Sequence, residues 1–158
     1  MKIVFEHEFP VSPEGLWPWL TEPERMCRWS TAPVSSLAEG PCGKPSGVGS
    51  RRSVQVGLGP VQLLLIEEIR VSDPPSCLEY QVVSGGGLRH HYGTIIIETL
   101  PTGSRLCWEI EYQTWLPGLG YPMRWLLRQQ LGASLSRLQE ILEAPAGADP
   151  GPVDTASR

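Results

Sequence analysis

Two neighbouring histidines are the side chains in this sequence best suited to proton transfer or metal binding. His90 and His91 follow a glycine-rich turn and open a largely apolar segment. Neighbouring residues on a strand point to opposite faces of a sheet, so we do not expect these imidazoles to share a metal ion. If one of the pair lines a cavity, the pattern favours His91, whose face continues through Gly93, Ile95 and Ile97.

A third histidine, His7, lies on the apolar face of the predicted first strand, together with Ile3, Phe5 and Phe9. It is therefore a second inward imidazole. For His7 a hydrogen-bonded role in the core is favoured over a general base. The sequence shows no clear carboxylate partner that would orient the ring of either His7 or His91.

Two pairs of glutamates suggest acid–base chemistry, but the alternation of the strands around them argues against it. Glu109 and Glu111 are two residues apart on a predicted strand, about 7 Å, a separation that would suit an inverting glycosidase. The apolar residues that alternate with them take the inner face, so both carboxylates are expected in solvent. Glu67 and Glu68 point to opposite faces, and at most one of them enters the interior.

No phosphate-binding or acyl-transfer motif is recognisable. Segment 57–60 lacks the third glycine of a dinucleotide fingerprint and leads into a strand instead of a helix. Lys44 is followed by proline, which does not fit a phosphate loop. Ser134 lies within a predicted helix, without the final glycine of a nucleophile elbow. We interpret Arg51 and Arg52 as the solvent-exposed start of a strand.

Aromatic side chains are the most abundant candidates for a binding site. Tyr80, Trp108 and Tyr112 fall on the inward faces of the late strands, where a cavity wall and an ordinary core are both open interpretations. Trp17 is expected to anchor a short helix onto the sheet. Walls of this kind suit a hydrophobic or aromatic ligand that is bound mainly through buried area.

The elements that must position these residues follow from hydrophobic period and turn signals. Ser12 and Pro13 begin the first of two short helices, and the second ends near Arg28. Six further strands follow, separated by short turns, which implies an antiparallel meander. Their predicted ranges are Val34 to Ala38, Ser50 to Val56, Val61 to Val71, Cys77 to Val83, His91 to Leu100 and Ser104 to Trp115.

One long amphipathic helix is predicted from about Pro117 to Leu142, with leucines at helical spacing. It is the only element long enough to cover the apolar face of the sheet, so the sheet should curl around it and enclose a cavity. We therefore predict one domain over residues 1–142. Residues 143–158 have little apolar content and are predicted to be a disordered C-terminal tail.

The chain has 158 residues and a formal net charge of −4. That charge provides no global positive field, so we predict no nucleic-acid partner. No apolar segment approaches the roughly 18 residues of a spanning helix, and no secretory signal is recognised. We predict no integral membrane segment and a cytoplasmic location. The four cysteines show no Cys-x-x-Cys spacing and are interpreted as reduced thiols.

Several short segments of the sequence, taken in their order along the chain, resemble the SRPBCC superfamily of START-like, helix-grip proteins. This superfamily includes bacterial proteins labelled polyketide cyclase/dehydrase. The segments are 11–24, 48–50, 67–69, 73–75 and 78–80, together with Trp29, Gly103 and 106–108. The resemblance covers about residues 1–142. It implies an α+β helix-grip fold, a seven-stranded curved antiparallel sheet around a long C-terminal helix, with two short helices after the first strand.

The predicted function is the binding of a hydrophobic or aromatic small molecule or lipid between the sheet and the C-terminal helix. One alternative is a polyketide cyclase/aromatase-like enzyme that uses a cavity histidine or tyrosine for proton transfer. Another is a protein-interaction module anchored by Trp19 or Trp125. We predict no cofactor and no metal, and the oligomeric state stays open. The predicted cavity residues are His7, Trp29, Tyr80, His91, Trp108, Tyr112, Leu127 and Leu131.

Overall fold

The computed structural model describes residues 1–58, 60–85 and 87–144. The described elements follow the predicted order of one strand, two short helices, six strands and one long helix. They are β1 (Lys2–Phe9), α1 (Pro13–Thr21), α2 (Pro23–Trp29), β2 (Val34–Ala38), β3 (Arg51–Leu58), β4 (Val61–Asp73), β5 (Cys77–Gly85), β6 (Leu88–Leu100), β7 (Gly103–Thr114) and α3 (Gly120–Glu143). The predicted α+β helix-grip fold is confirmed.

The seven strands form one antiparallel sheet in the order β1-β7-β6-β5-β4-β3-β2. From β2 to β7 every strand pairs with its neighbours in sequence, as expected for a meander with short turns. The first strand pairs with the last, in a register that runs from Lys2 opposite Glu111 to Phe9 opposite Ser104. Strand β4 shifts register against β5 in two places, and such irregularities bend a strand. The sheet is accordingly curved.

The two short helices have clear local causes. The Ser12 hydroxyl accepts a hydrogen bond from the Gly15 N–H at 3.3 Å, and Pro13 occupies the first turn, where a missing N–H costs nothing. Glu22 adopts an extended backbone, and Pro23 then begins α2. Leu16 and Trp17, on the inner side of α1, are buried. The helices therefore cover one end of the curved sheet.

Helix α3 lies on the concave face of the sheet and forms the core with it. Leu135 and Leu138 are almost completely buried, and so are Leu78, Ile95 and Leu106 on the central strands. Each such aliphatic side chain contributes about 1.5–3 kcal/mol relative to an exposed one. The same helix that completes the core therefore also forms the roof of any cavity above the sheet.

Helix α3 begins three residues later than predicted. Gly118 has a φ of 86°, a left-handed conformation that interrupts a helix, and the first helical residue is Gly120. At the other end the helix reaches Glu143, one residue into the predicted tail, and Ala144 follows in an extended conformation. The rest of the predicted tail, residues 145–158, lies outside the described residues.

Candidate functional site

A cavity of about 80 Å³ lies between the concave face of the sheet, helix α2 and helix α3, and it is partly open to solvent. Its walls are mainly apolar, with valines of β2 and β3, Leu65 of β4 and Ile110 of β7 contributing. A buried water molecule needs on the order of 10–15 Å³ of cavity volume, so the cavity has room for several waters or for one small group of about ring size.

Six of the eight predicted cavity residues line this space. They come from α2, three strands and α3, which are far apart in sequence. The six residues are Trp29, Tyr80, His91, Trp108, Leu127 and Leu131. The curvature of the sheet brings them together, because inward-facing positions on different strands converge on its concave side.

The other two predicted residues, His7 and Tyr112, lie outside the cavity lining. The His7 ring shares a hydrogen bond of 2.6 Å with Gln139 Oε1 near the end of α3. The Tyr112 hydroxyl donates to the Gly120 carbonyl at 2.8 Å, where α3 begins. Both residues face inward, but they meet opposite ends of α3, and the cavity lies beneath its middle.

Arg52 and Glu67 form a buried ion pair in the cavity wall. Arg52 Nε donates to Glu67 Oε2 at 2.7 Å, and each residue is 5% exposed. The interpretation of Arg52 as part of a solvent-exposed strand start was wrong. Arg52 shares the inward face of β3 with Val54 and Val56, and this period-2 pattern was the available signal. Only Arg51 faces solvent, and there it pairs with Glu68.

The buried guanidinium of Arg52 is held from two further sides. Arg52 Nη1 lies 3.2 Å from the sulfur of Met26, and its central carbon lies 5.2 Å from the centre of the Tyr80 ring. The second arrangement is a cation–π contact, which is stronger where water is excluded. These contacts fix the positive charge next to its carboxylate, so the pair adds no net charge to the cavity.

Tyr80 connects the ion pair to the aromatic side of the cavity. Its hydroxyl oxygen accepts a hydrogen bond from Trp108 Nε1 at 3.0 Å, and the two rings meet edge to face with centres 6.4 Å apart. Gly93 leaves room for the ring, because a Cβ there would lie 2.0 Å from Tyr80 Cζ. Burial raises the pKa of Tyr80 well above its usual range, and Glu67 raises it further. The hydroxyl therefore stays protonated.

His91 is buried in the same wall, as the sequence pattern favoured, whereas His90 is exposed. The centre of the His91 ring lies 6.0 Å from the centre of the Tyr80 ring. Burial lowers the pKa of His91, and the neighbouring carboxylate of Glu67 opposes that shift only in part. The imidazole is therefore neutral at physiological pH. Its Nδ1 atom is buried and has no hydrogen-bond partner among the described residues.

Helix α3 contributes two polar side chains to the opposite side of the cavity. Gln130 Nε2 donates to the Gly57 carbonyl at 2.7 Å, while Gln130 Oε1 is buried without a partner in the described structure. The Ser134 hydroxyl accepts from the Thr31 N–H at 2.9 Å and donates to the Gln130 carbonyl at 2.7 Å. Gln130 was not predicted from the sequence, because a single glutamine on a helix carries no recognisable pattern.

The remaining chemical candidates lie away from the cavity. Glu109 and Glu111 face outward as predicted and pair with Lys2 at 2.6 and 3.9 Å. Trp125 is 55% exposed, whereas Trp19 is half-buried beneath two arginines. Within the described ranges no group of three or more metal-ligating side chains is close enough to hold an ion. No helix there has the length and apolar character to cross a membrane.

Comparison with protein families matches residues 1–143 to the family described as polyketide cyclase / dehydrase and lipid transport. The chain belongs to this family. The predicted resemblance to polyketide cyclase/dehydrase-like proteins is confirmed. A search among curated proteins found no match.

Solved structures from several bacteria share the fold. A START superfamily protein from Mycobacterium smegmatis is 16% identical, with a TM-score of 0.75 over 90% of this chain and 97% of that one. A protein from Thermus thermophilus is also 16% identical, with a TM-score of 0.72 over 90% and 97%. A Mesorhizobium loti protein is 20% identical, with a TM-score of 0.68 over 90% and 96%. At these identities the likeness shows the fold alone.

Proposed function

We propose that this protein binds a small, mainly apolar or aromatic molecule in the cavity between the curved sheet and helix α3. The observation that carries the proposal is the composition of the cavity. Its walls are largely apolar, yet Arg52, Glu67, Tyr80 and His91 gather on one side. Apolar walls with a few convergent polar groups are the usual features of small-molecule sites.

The volume of the cavity limits what it accommodates. At about 80 Å³ it is roughly half the size of an apolar cavity that holds benzene comfortably, so it suits at most a single ring or the end of a longer molecule. A longer ligand would extend through the side that is open to solvent. A lipid, which the family description includes, would need helix α3 to move away from the sheet. We therefore favour a ring-sized aromatic group as the part that is bound inside.

Toluene provides a direct test of this proposal. The chemical shifts of the protein amides would be followed by NMR as toluene is added to the wild type and to two variants. Leu131→Trp fills the cavity from α3 and should abolish binding. Ala133→Trp places the same bulk on the exposed side of the same helix and should leave binding intact. Toluene binding that is equal in the two variants would contradict this location.

A second function, proton transfer of the cyclase type, is favoured by one specific observation. His91 is neutral, buried in the wall, and has a free Nδ1 atom in the described structure. Tyr80, whose hydroxyl stays protonated, is its neighbour. A base beside an acid in an apolar cavity could remove a proton next to a carbonyl group and stabilise the resulting enolate.

This second function is tested with acetophenone, a ring-sized ketone, in heavy water. The wild type should accelerate deuterium exchange at the methyl group, as measured by NMR, above an equal concentration of free imidazole. His91→Phe should remove the acceleration, while His90→Phe, which alters the exposed neighbour, should retain it. If the wild type does not accelerate deuterium exchange, the proton-transfer function is wrong and only the binding function remains.

A further inference from the structure

Two residues on opposite sides of the cavity lining each carry a buried polar atom that lacks a partner in the described structure. His91 Nδ1 belongs to the sheet, in a residue that is 3% exposed, and Gln130 Oε1 belongs to helix α3. A buried polar group without a hydrogen bond costs free energy that a matching ligand atom recovers. These atoms therefore indicate which chemical groups a bound molecule should carry.

The bonding capacity of the two groups is restricted. Gln130 Nε2 already donates to the Gly57 carbonyl, so the amide orientation is fixed and Oε1 is available only as an acceptor. A neutral imidazole has one N–H donor and one bare nitrogen acceptor. A ligand group that faces Gln130 must therefore donate, and one that faces His91 is free to donate or accept, according to the tautomer.

The charges in the wall restrict the ligand further. Arg52 is already paired with Glu67 and packed against Tyr80, so its positive charge is compensated inside the protein. A carboxylate in the cavity would add a second buried negative charge near Glu67. It would also present only acceptor oxygens to Gln130 Oε1. Burying a charge without a partner is far more costly than burying a hydroxyl group.

We infer that the molecule bound in this cavity is uncharged and carries a hydroxyl group, as a phenol does, with either His91 or Gln130 as the anchor of that hydroxyl. This inference rests on the proposed binding function and specifies the ligand class of the same site. A hydroxyl group donates one hydrogen bond and accepts others, so it matches either partner. A carboxylate offers no donor to Gln130 and brings an uncompensated charge, and a pure hydrocarbon bonds to neither residue.

Phenol, toluene and benzoate test the inference, because they share one ring and differ in a single substituent. Their affinities for the full-length protein would be measured by isothermal titration calorimetry. Hydrophobic transfer alone favours toluene over phenol, so tighter binding of phenol requires polar contacts inside the cavity. We expect phenol to bind at least about tenfold more tightly than toluene, and benzoate to bind most weakly.

Two variants with matched controls assign the anchors. The variant of the residue that holds the hydroxyl, His91→Phe or Gln130→Met, should reduce phenol affinity towards that of toluene. Toluene binding should persist in both variants, which shows that the cavity is intact. The controls His90→Phe and Gln129→Met change exposed neighbours and should leave the preference for phenol unchanged.

Other results would separate this inference from the proposed function. Toluene binding as tight as phenol, or benzoate binding tightest, would overturn the inference while the cavity remained a binding site. A preference for phenol that persists in both anchor variants would also overturn it. Failure of all three compounds to bind the wild type would overturn the proposed function as well.

Discussion

Arg52 and Glu67 form an ion pair that strands β3 and β4 bury beside the cavity. Arg52 Nε and Glu67 Oε2 are 2.7 Å apart, and the two side chains are 6% and 7% exposed. One register position away, the exposed residue Arg51 pairs with Glu68 at the same distance, but its side chain is 53% exposed. The two pairs share chemistry and strands and differ mainly in burial.

Removal of the buried arginine should destabilise the protein far more than removal of the exposed one. Arg52→Met leaves the carboxylate of Glu67 buried and unpaired, which should lower the free energy of unfolding by about 3–5 kcal/mol. Arg51→Met breaks an exposed pair and should cost about 0–1 kcal/mol. Urea denaturation measures both. Adding Glu67→Leu to Arg52→Met should recover most of the loss, and equal losses in the two single variants would contradict the assigned burial.

His91 should make stability depend on pH in a defined direction. Because burial lowers the pKa of His91 in the folded protein, the unfolded chain takes up a proton first as the pH falls through about 6.5. The free energy of unfolding should therefore decrease below about pH 6.5, by at most about 1.4 kcal/mol per pH unit from this group, until the folded-state pKa is reached.

Urea denaturation of the wild type and His91→Phe, from about pH 7.5 to about pH 5, isolates this contribution because carboxylate titrations are common to both proteins. The variant should show the shallower pH dependence. His90→Phe is the control, since it alters the exposed neighbour, and it should behave as the wild type does. A steeper dependence in His91→Phe would show that the sign is wrong.

Gly93 should not tolerate even one methyl group. A Cβ at this position would overlap Tyr80 Cζ at 2.0 Å, and the Tyr80 ring is confined by Arg52 and by its hydrogen bond with Trp108. Gly93→Ala should therefore lower the free energy of unfolding by about 1–3 kcal/mol, as overpacked cores do. Gly132→Ala, in helix α3 with open space around it, should raise it by up to about 1 kcal/mol. Thermal unfolding of both variants would show whether Gly93→Ala lowers the stability and Gly132→Ala raises it.

Ser134 should matter because its hydroxyl connects helix α3 to the segment that follows α2. Ser134→Ala removes the acceptor of the Thr31 N–H, a partly buried hydrogen bond, and should cost about 0.5–1.5 kcal/mol. Ser136→Ala changes an exposed residue on the same helix and should stay within about 0.5 kcal/mol of the wild type. Chemical denaturation compares the two, and an equal response would mean that the contact between Ser134 and Thr31 contributes nothing.

Most of the fold was predictable from local signals in the sequence. The period of two on the strands, the helical spacing of the leucines and the turn residues gave every element in its order, including the inward faces of Tyr80, His91 and Trp108. Boundaries were less accurate. Strand β6 begins at Leu88 instead of His91, because pairing with β7 extends it further than its own hydrophobic pattern indicates.

The polar part of the site was not predictable to the same extent. Charged residues are usually solvated, so Arg52 was assigned to solvent although it alternates with two valines on the same strand. Its partner Glu67 was recognised only as one of two glutamates, of which at most one enters the interior. Burial of the arginine is favourable only when a carboxylate lies opposite, and that depends on how two strands pair.

The sequence by itself determined the succession of strands and helices and which side of each strand is apolar, since both follow from residues within a few positions of one another. Tertiary structure alone decided that Arg52 meets Glu67, that His91 and Gln130 face one cavity, and that His7 and Tyr112 lie elsewhere. These outcomes depend on strand register, sheet curvature and the position of α3 along the sheet, which arise from contacts between residues distant in the chain.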